Sequence, residues 1–377
     1  MRFNENEYCI EMTADEICSL VSRASDLDSL RPARMNVNER GFDTFLSQLP
    51  DYDRAHEPVR AQEQLINTTQ IHGNYYTVTA VADRAYKHGE IGTVDLFCER
   101  RAYGDMAFPG NFEISLLKIQ AYFYACKHVL QRVDARIVIC FKDTKKIKII
   151  EDSFTADQLK KSYFELLERV DFFAKLMLER KKEILPRASR VPFPYTEIRE
   201  GQEQMIKVIY RGIVKEKNVF VQAPTGIGKT ISSLYPAVRA LSEGKIDKIF
   251  YLTAKAQTRR EAWGAMKKLH AAGARLKTIF ISAKDSVCVC PKKTASGLGA
   301  SNFCNSFDCE FARGYYDRVN DAIRELVEEY SGYTQSLILS VAQRYRVCPY
   351  ELSLDLSLLC DVVICDYNYI FYPIIYF

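Results

Sequence analysis

The run Ala223-Pro-Thr-Gly-Ile-Gly-Lys-Thr230 has the composition and order of a loop that cradles phosphate. Gly226 and Gly228 give the main chain backbone angles that other residues resist and let it approach an anion closely. The backbone N–H groups can then turn inward as a nest at the positive end of the following helix. Lys229 is placed to reach the β- and γ-phosphates of ATP, and Thr230 to offer its hydroxyl to Mg²⁺. Ala223, Pro224, Thr225 and Ile227 complete the loop. Its general pattern asks for Gly where Ala223 stands. A glycine turn that merely joins strand to helix is the competing reading, and the strand expected before the loop and the helix expected after it argue against that.

Cysteines form the second group. The chain has twelve, and Cys288, Cys290, Cys304, Cys309, Cys348, Cys360 and Cys365 fall late in it. Four thiolates suit a [4Fe–4S] cluster and equally a structural zinc. The spacing is neither the paired C-x₂-C of a zinc ribbon nor the C-x₂-C-x₂-C of a ferredoxin, so spacing alone leaves both metals open. Cys360 and Cys365 border or occupy an apolar strand and read as core.

These residues need a scaffold. From the seam onward the chain alternates strand and helix. The expected strands are 218–223, 248–253, 278–282 and 362–366, short and apolar on both faces, as in a parallel sheet covered by helices. The seam itself is Pro186, Pro192 and Pro194, which stop helices. Ahead of it Thr13-Ala-Asp-Glu16 reads as a capping box. Residues 74–84 and 91–98 read as a hairpin turning at Lys87–Gly92. A helix at about 113–131, strands at 135–141 and 146–150 and an amphipathic helix at about 155–184 follow. The expected organisation is α/β throughout: a first domain at 1–185, a linker at 186–198, and a second domain at 199–377 with a cysteine insert at about 284–350.

With 377 residues, 47% apolar and 27% charged, both parts can bury a core. A net charge of +4 is too small to argue for nucleic acid by itself. No run of 18 apolar residues suggests a membrane span, and the N-terminus lacks a signal-peptide plan. A cytoplasmic location is expected, where thiols stay reduced.

The motifs together resemble the XPD/DinG iron–sulfur DNA helicases of superfamily 2 across about 197–373. Helicases of superfamilies 1 and 2 commonly have Ala at the position of Ala223. Arg199-Glu-Gly-Gln202 resembles their adenine-reading motif, with Gln202 as the implied adenine contact. Tyr251–Lys255 and Gln257–Arg260 look like the motif that touches the DNA backbone, though Arg259 and Arg260 also suit a merely charged surface. The resemblance implies a RecA-like motor domain with an inserted [4Fe–4S] domain held by Cys288, Cys304, Cys309 and Cys348. Cys290 is the alternative to Cys288, which is preferred for its place after Lys284-Asp-Ser-Val. The family's Asp-Tyr-x-Tyr string is Asp366-Tyr-Asn-Tyr369. In the family the cluster staples a lobe of the DNA channel, and Lys284, Lys292, Lys293 and Arg313 would give that lobe a basic face, or simply a solvated one. The implied activity is ATP-dependent 5′–3′ unwinding of single-stranded or forked DNA by a monomer.

Bacterial relatives carry a leading domain that resembles the PD-(D/E)XK nucleases, whose Asp and (Asp/Glu)-x-Lys hold Mg²⁺ and activate water. Here Asp83 and Asp95 match, but Phe97 stands where Lys should be. Glu99-Arg-Arg101 is displaced to the strand end, and Phe42-Asp43 offers no His. The fold is expected without cleavage. The chain also contains no Asp-Glu-Ala-His, whose carboxylates hold Mg²⁺ and orient water. It is expected to bind nucleotide weakly and not to hydrolyse it or unwind DNA alone. A DNA-binding remnant of a helicase and a Mg²⁺-dependent nuclease are the alternatives.

Overall fold

A computed structural model describes residues 2–4, 9–21, 33–34, 48–49, 63–100, 109–291 and 308–371. The chain divides into two compact units, with the cut between Lys175 and Leu176.

In the first unit β1 (Arg2–Asn4), β2 (Cys9–Thr13) and α1 (Ala14–Val21) come first, then β3 (Ala33–Arg34), β4 (Glu63–Ile71), β5 (Asn74–Ala82), β6 (Arg84–His88) and β7 (Ile91–Arg100). After these come α2 (Asn111–His128), β8 (Arg132–Phe141), β9 (Lys146–Thr155) and α3 (Ala156–Glu179). The capping box forms at the start of α1. Glu16 N–H donates to Thr13 Oγ1 at 3.1 Å, and Thr13 N–H donates to Glu16 Oε2 at 2.8 Å. Thr13→Ala is expected to cost about 1 kcal/mol, read as a lower urea midpoint in the far-UV signal.

The expected hairpin at 74–98 is only partly right. Its turn is real, since β6 and β7 pair antiparallel from Arg84↔Asp95 to His88↔Ile91. The first strand, however, breaks at Asp83. β5 instead pairs with β4 across His72-Gly73 and with β2, in the order β1-β2-β5-β4. The second sheet runs β3-β7-β8-β9 with β6 also on β7. β7 and β8 are parallel over ten residues, with α2 as their crossover, which suits two strands almost wholly buried. β4 lies outside every strand expected above: Ile66 is 65% exposed, so its polar-rich outer face hides the alternation.

The second unit continues with a π-helical turn at Arg180–Ile184, α4 (Leu185–Ala188), α5 (Gln202–Val214), α6 (Lys229–Ser242), β10 (Ile249–Leu252), α7 (Ala256–Ala271) and β11 (Thr278–Phe280). The chain then forms α8 (Lys284–Val287), α9 (Tyr315–Glu329), β12 (Gly332–Tyr333), α10 (Gln335–Tyr345), α11 (Pro349–Ser357), β13 (Val362–Cys365) and α12 (Asn368–Phe371). The proline seam is not a loose connector. Ala188 and Val191 are buried in the core with Leu234, Met266 and Ile364, and Phe193 packs against that core. Arg180 of the π-turn binds Asp361, which sits just before β13 and accepts Lys277 N–H at 2.8 Å.

The sheet is parallel, in the order β10-β13-β11-β12. All four residues of β13 are buried, as a strand covered on both faces must be. Residues 218–223, expected as a strand, form none, and no described strand pairs with them. Phe220 is 96% exposed. An apolar run has strand propensity, but a ladder also needs a neighbour to bond with. Among the described residues no helix is long and apolar enough to cross a membrane.

Candidate functional site

Helix α6 begins at Lys229 with Gly228 as its cap residue, so the phosphate loop ends at a helix N-terminus as its sequence requires. Gly226 and Gly228 both have φ of +85°, a region L-residues avoid. A Cβ on Gly226 would meet nothing within 4 Å, so the main chain there is open to an approaching anion. A Cβ on Gly228 would lie 2.5 Å from Gln202 Nε2, so glycine at this position lets Gln202 sit against the loop.

Gln202 is 4% exposed and its amide is already engaged. Its Nε2 donates to Ile227 O at 2.6 Å, and its Oε1 accepts Arg199 N–H at 2.7 Å. The Arg199 guanidinium donates to Gly226 O. The expected adenine reader is thus, in this structure, a brace on the phosphate loop. Lys229 Nζ donates to Ala223 O and Pro224 O, both at 2.9 Å, so the ammonium lies within the loop's own curve. Thr230 shares a side-chain hydrogen bond with Tyr251, the residue of β10 that opens the next motif. In that motif Arg259 lies over the Phe280 ring at 5.6 Å, whereas Arg260 is exposed.

The cysteines converge. Cys288, Cys290, Cys309 and Cys348 line one cavity of about 230 Å³, together with Lys284 and Glu351. By the same measure one water needs only about 10–15 Å³. Cys348 precedes Pro349, the first residue of α11, so its thiol is carried by a helix start. Backbone N–H groups of Glu351 and Tyr350 face the Cys348 sulfur, and those of Phe311 and Ala312 face Cys309. Burial pushes the Cys348 thiol up to about 12 and the Cys309 thiol up to about 11. Such thiols stay protonated at neutral pH unless a cation replaces the proton. Lys284 Nζ lies 3.3 Å from Glu351 Oε1 and 5.2 Å from the Tyr350 ring centroid. Tyr350 hydrogen-bonds Tyr369, whose hydroxyl donates to Ser282 O at 3.3 Å, so the Asp-Tyr-x-Tyr string ties the cavity to the end of the sheet. Among the described residues no three His, Cys, Asp or Glu side chains are placed to hold a single ion. Cys304, Lys292 and Lys293 lie outside the described residues. Cys360 and Cys365 are 3% and 0% exposed, as core residues should be.

In the first unit both candidate carboxylates are buried and engaged by other described residues. Asp95 is 0% exposed and takes Arg136 at 2.6 and 2.9 Å and Arg84 at 3.2 Å. Asp83 is 2% exposed and accepts Phe97 N–H at 2.9 Å. Phe97 is wholly buried, and Glu99 pairs with Lys142 at 2.7 Å. Arg136, 41 residues beyond Asp95, is the partner that sequence reasoning missed, because only the parallel β7–β8 register sets the two side by side. Phe42, Asp43 and Arg101 lie outside the described residues.

Residues 199–287 match the DEAD/DEAH box helicase family, and residues 255–376 match DEAD_2. A probable ATP-dependent helicase of Methanocaldococcus jannaschii is 48% identical over 46 residues, covering 12% of this chain and 7% of that protein. The XPD helicase subunit of general transcription and DNA repair factor IIH from Arabidopsis thaliana is 23% identical over 210 residues, covering 48% of this chain and 27% of that protein. A solved XPD helicase aligns with 48% of this chain and 30% of its own at a TM-score of 0.34 and 19% identity. The chain therefore spans less than a third of each of these proteins. The two family matches share residues 255–287 and together run from 199 to 376, so the stretch that carries the phosphate loop and the cysteine cavity is similar to DEAD/DEAH box helicases and to the XPD helicase subunit.

Proposed function

We propose that residues 199–371 form the nucleotide-gripping part of an ATP-dependent DNA helicase motor, carrying a [4Fe–4S] cluster on Cys288, Cys304, Cys309 and Cys348. The observation that carries the cluster reading is the single cavity lined by Cys288, Cys309 and Cys348, with backbone N–H groups turned toward two of the sulfurs. Hydrogen bonds of that kind tune thiolate ligands of iron–sulfur clusters. A cluster spreads its ligand sulfurs over several metal atoms, so its cysteines need not converge on one point. When bound, it would act as a staple for a small insert with little core of its own.

The nucleotide would sit on the open face of the loop at Gly226. Backbone N–H groups of the loop and the start of α6 would hold the phosphates. Lys229 would leave its two carbonyl partners and turn to the β- and γ-phosphates. Thr230 would give up Tyr251 and present its hydroxyl to Mg²⁺, which screens the phosphate charge when bound. Gln202 and Arg199 would hold the loop's shape, and Gln202 would keep one amide hydrogen for adenine. The chain has no Asp-Glu-Ala-His sequence, the string whose carboxylates would hold Mg²⁺ and orient the attacking water. Nucleotide is held, and hydrolysis by this chain alone is not supplied. The DNA partner would be a single strand or fork, tracked 5′ to 3′ by a monomer. The first unit would be a PD-(D/E)XK-like domain without cleavage, because its acidic pair is spent on Arg84, Arg136 and the backbone.

The cluster reading is tested on anaerobically purified protein by iron and acid-labile sulfide content and by visible absorption. About four irons and four sulfides per chain are expected for this cluster type. Cys348→Ser should lower both several-fold. Stoichiometric zinc without sulfide would replace the cluster by a zinc site.

A further inference from the structure

The four proposed ligands leave one thiol of the cavity unassigned. Cys290 is 2% exposed and packs with Cys309 and Ala312 in a small apolar cluster, with Cys288 only partly buried beside it. Its sulfur is within hydrogen-bonding reach of the Cys309 sulfur and also faces Asp308 O at 3.8 Å. The Cys348 sulfur, by contrast, has Glu351 and Lys284 as its charged neighbours. A non-ligand thiol held against a ligand thiol has no use in binding a cluster, because the four positions are already taken. It has a use when the cluster is gone.

We propose that Cys290 is a modification site: a resolving thiol that forms a disulfide with Cys309 when the cavity is emptied and hydrogen peroxide is present. The meaning of the bridge as a guard on the metal site rests on the cluster reading above; the bridge itself does not. The chemistry closes with one named oxidant. One sulfur attacks a peroxide oxygen as its proton passes to the departing oxygen, the O–O bond breaks, and a sulfenic acid and water result. The second sulfur then attacks the sulfenic sulfur and expels its hydroxyl as a second water. The two thiols lose two protons and two electrons, and the peroxide is reduced. Without a second thiol in contact, the sulfenic acid at Cys309 would be open to further oxidation to sulfinic acid, which thiols do not reverse. With Cys290 in contact the site stops at a state that a thiol reductant restores. The bridge would also take Cys309 out of the ligand set, so an oxidised chain would refuse iron until it is reduced.

The test uses the full chain. Iron and sulfide are measured first. Iron is then removed with a chelator under nitrogen, the protein is treated with hydrogen peroxide, remaining thiols are alkylated, and peptides are mapped by mass. The expected result is a linked Cys290–Cys309 peptide as the main disulfide, and a several-fold loss of iron uptake that dithiothreitol reverses. Cys290→Ser and Cys290→Ala should keep wild-type iron and sulfide before treatment, lack the linked peptide, and show Cys309 as sulfinic or sulfonic acid. The proposal is overturned by a bridge from Cys309 to another cysteine, by no bridge at all, or by loss of iron and sulfide in both Cys290 variants, which would make Cys290 a ligand. A wild-type protein with neither iron nor sulfide would sink the cluster reading alone, and the linked peptide would still decide the bridge.

Discussion

Lys229→Ala should lower the affinity for ATP about 100-fold while leaving the fold intact. The side chain is exposed, and its partners in this structure are two carbonyls of its own loop. An exposed substitution of this kind normally changes stability by less than about 0.5 kcal/mol. Its loss from the nucleotide complex is another matter. A hydrogen bond to a charged group contributes about 1.5–3 kcal/mol, and the ammonium is expected to bridge two phosphates. About 2.7 kcal/mol corresponds to that hundredfold loss. Thr230→Ala should behave differently, weakening binding mainly when Mg²⁺ is present. Titration with a fluorescent ATP analogue, with and without Mg²⁺, reads both variants. Equal affinity of wild type and Lys229→Ala would mean that the loop does not grip phosphate. Release of phosphate from ATP by homogeneous wild-type chain would overturn the separate claim that this sequence binds without hydrolysing.

The second large effect lies in the first unit. Asp95→Ala is expected to destabilise that unit by about 3–5 kcal/mol, because it removes the carboxylate that two buried guanidinium groups share. Arg84 and Arg136 are 4% and 5% exposed, and both reach Asp95. Removing one partner of a buried ion set costs far more than replacing the whole set by apolar residues of similar volume. A triple change of Asp95→Leu, Arg84→Met and Arg136→Met should therefore recover most of the loss. The chain's one tryptophan, Trp263, is in the second unit, so its fluorescence transition should stay in place while far-UV dichroism and amide exchange of β7 and β8 shift. The same variant bears on chemistry. If wild-type protein nicks DNA with Mg²⁺ or Mn²⁺ and folded Asp95→Asn does not, Asp95 is a metal ligand and the structural role argued here is wrong.

Some of this was legible from the chain alone, for a physical reason. Whatever depends on local covalent limits or short periodicity reads directly. Gly226 and Gly228 announce positive φ, and Thr13 and Glu16 announce a reciprocal cap. The runs at 248–253, 278–282 and 362–366 announce doubly covered strands of a parallel sheet, which form at Ile249–Leu252, Thr278–Phe280 and Val362–Cys365. What needs a distant partner did not read. The run at 218–223 has strand composition and no strand beside it among the described residues. Phe97 marked the acidic site of the first unit as altered, but that Asp95 is held by Arg84 and Arg136 rests on the register of β6, β7 and β8. Gln202 was legible as a nucleotide-motif residue, and its bonds to Ile227 and Arg199 were not, since they arise where α5 starts against the phosphate loop. The resemblance implied a shared site for Cys288, Cys304, Cys309 and Cys348 with Cys290 as the alternative to Cys288, but not that Cys288 and Cys290 line one cavity together: only the packing of α8, the 308–312 turn and α11 brings both beside Cys309 and Cys348. Side-chain chemistry is written in residue identity, whereas which groups share a site is decided by tertiary contacts, and those carry no local signal.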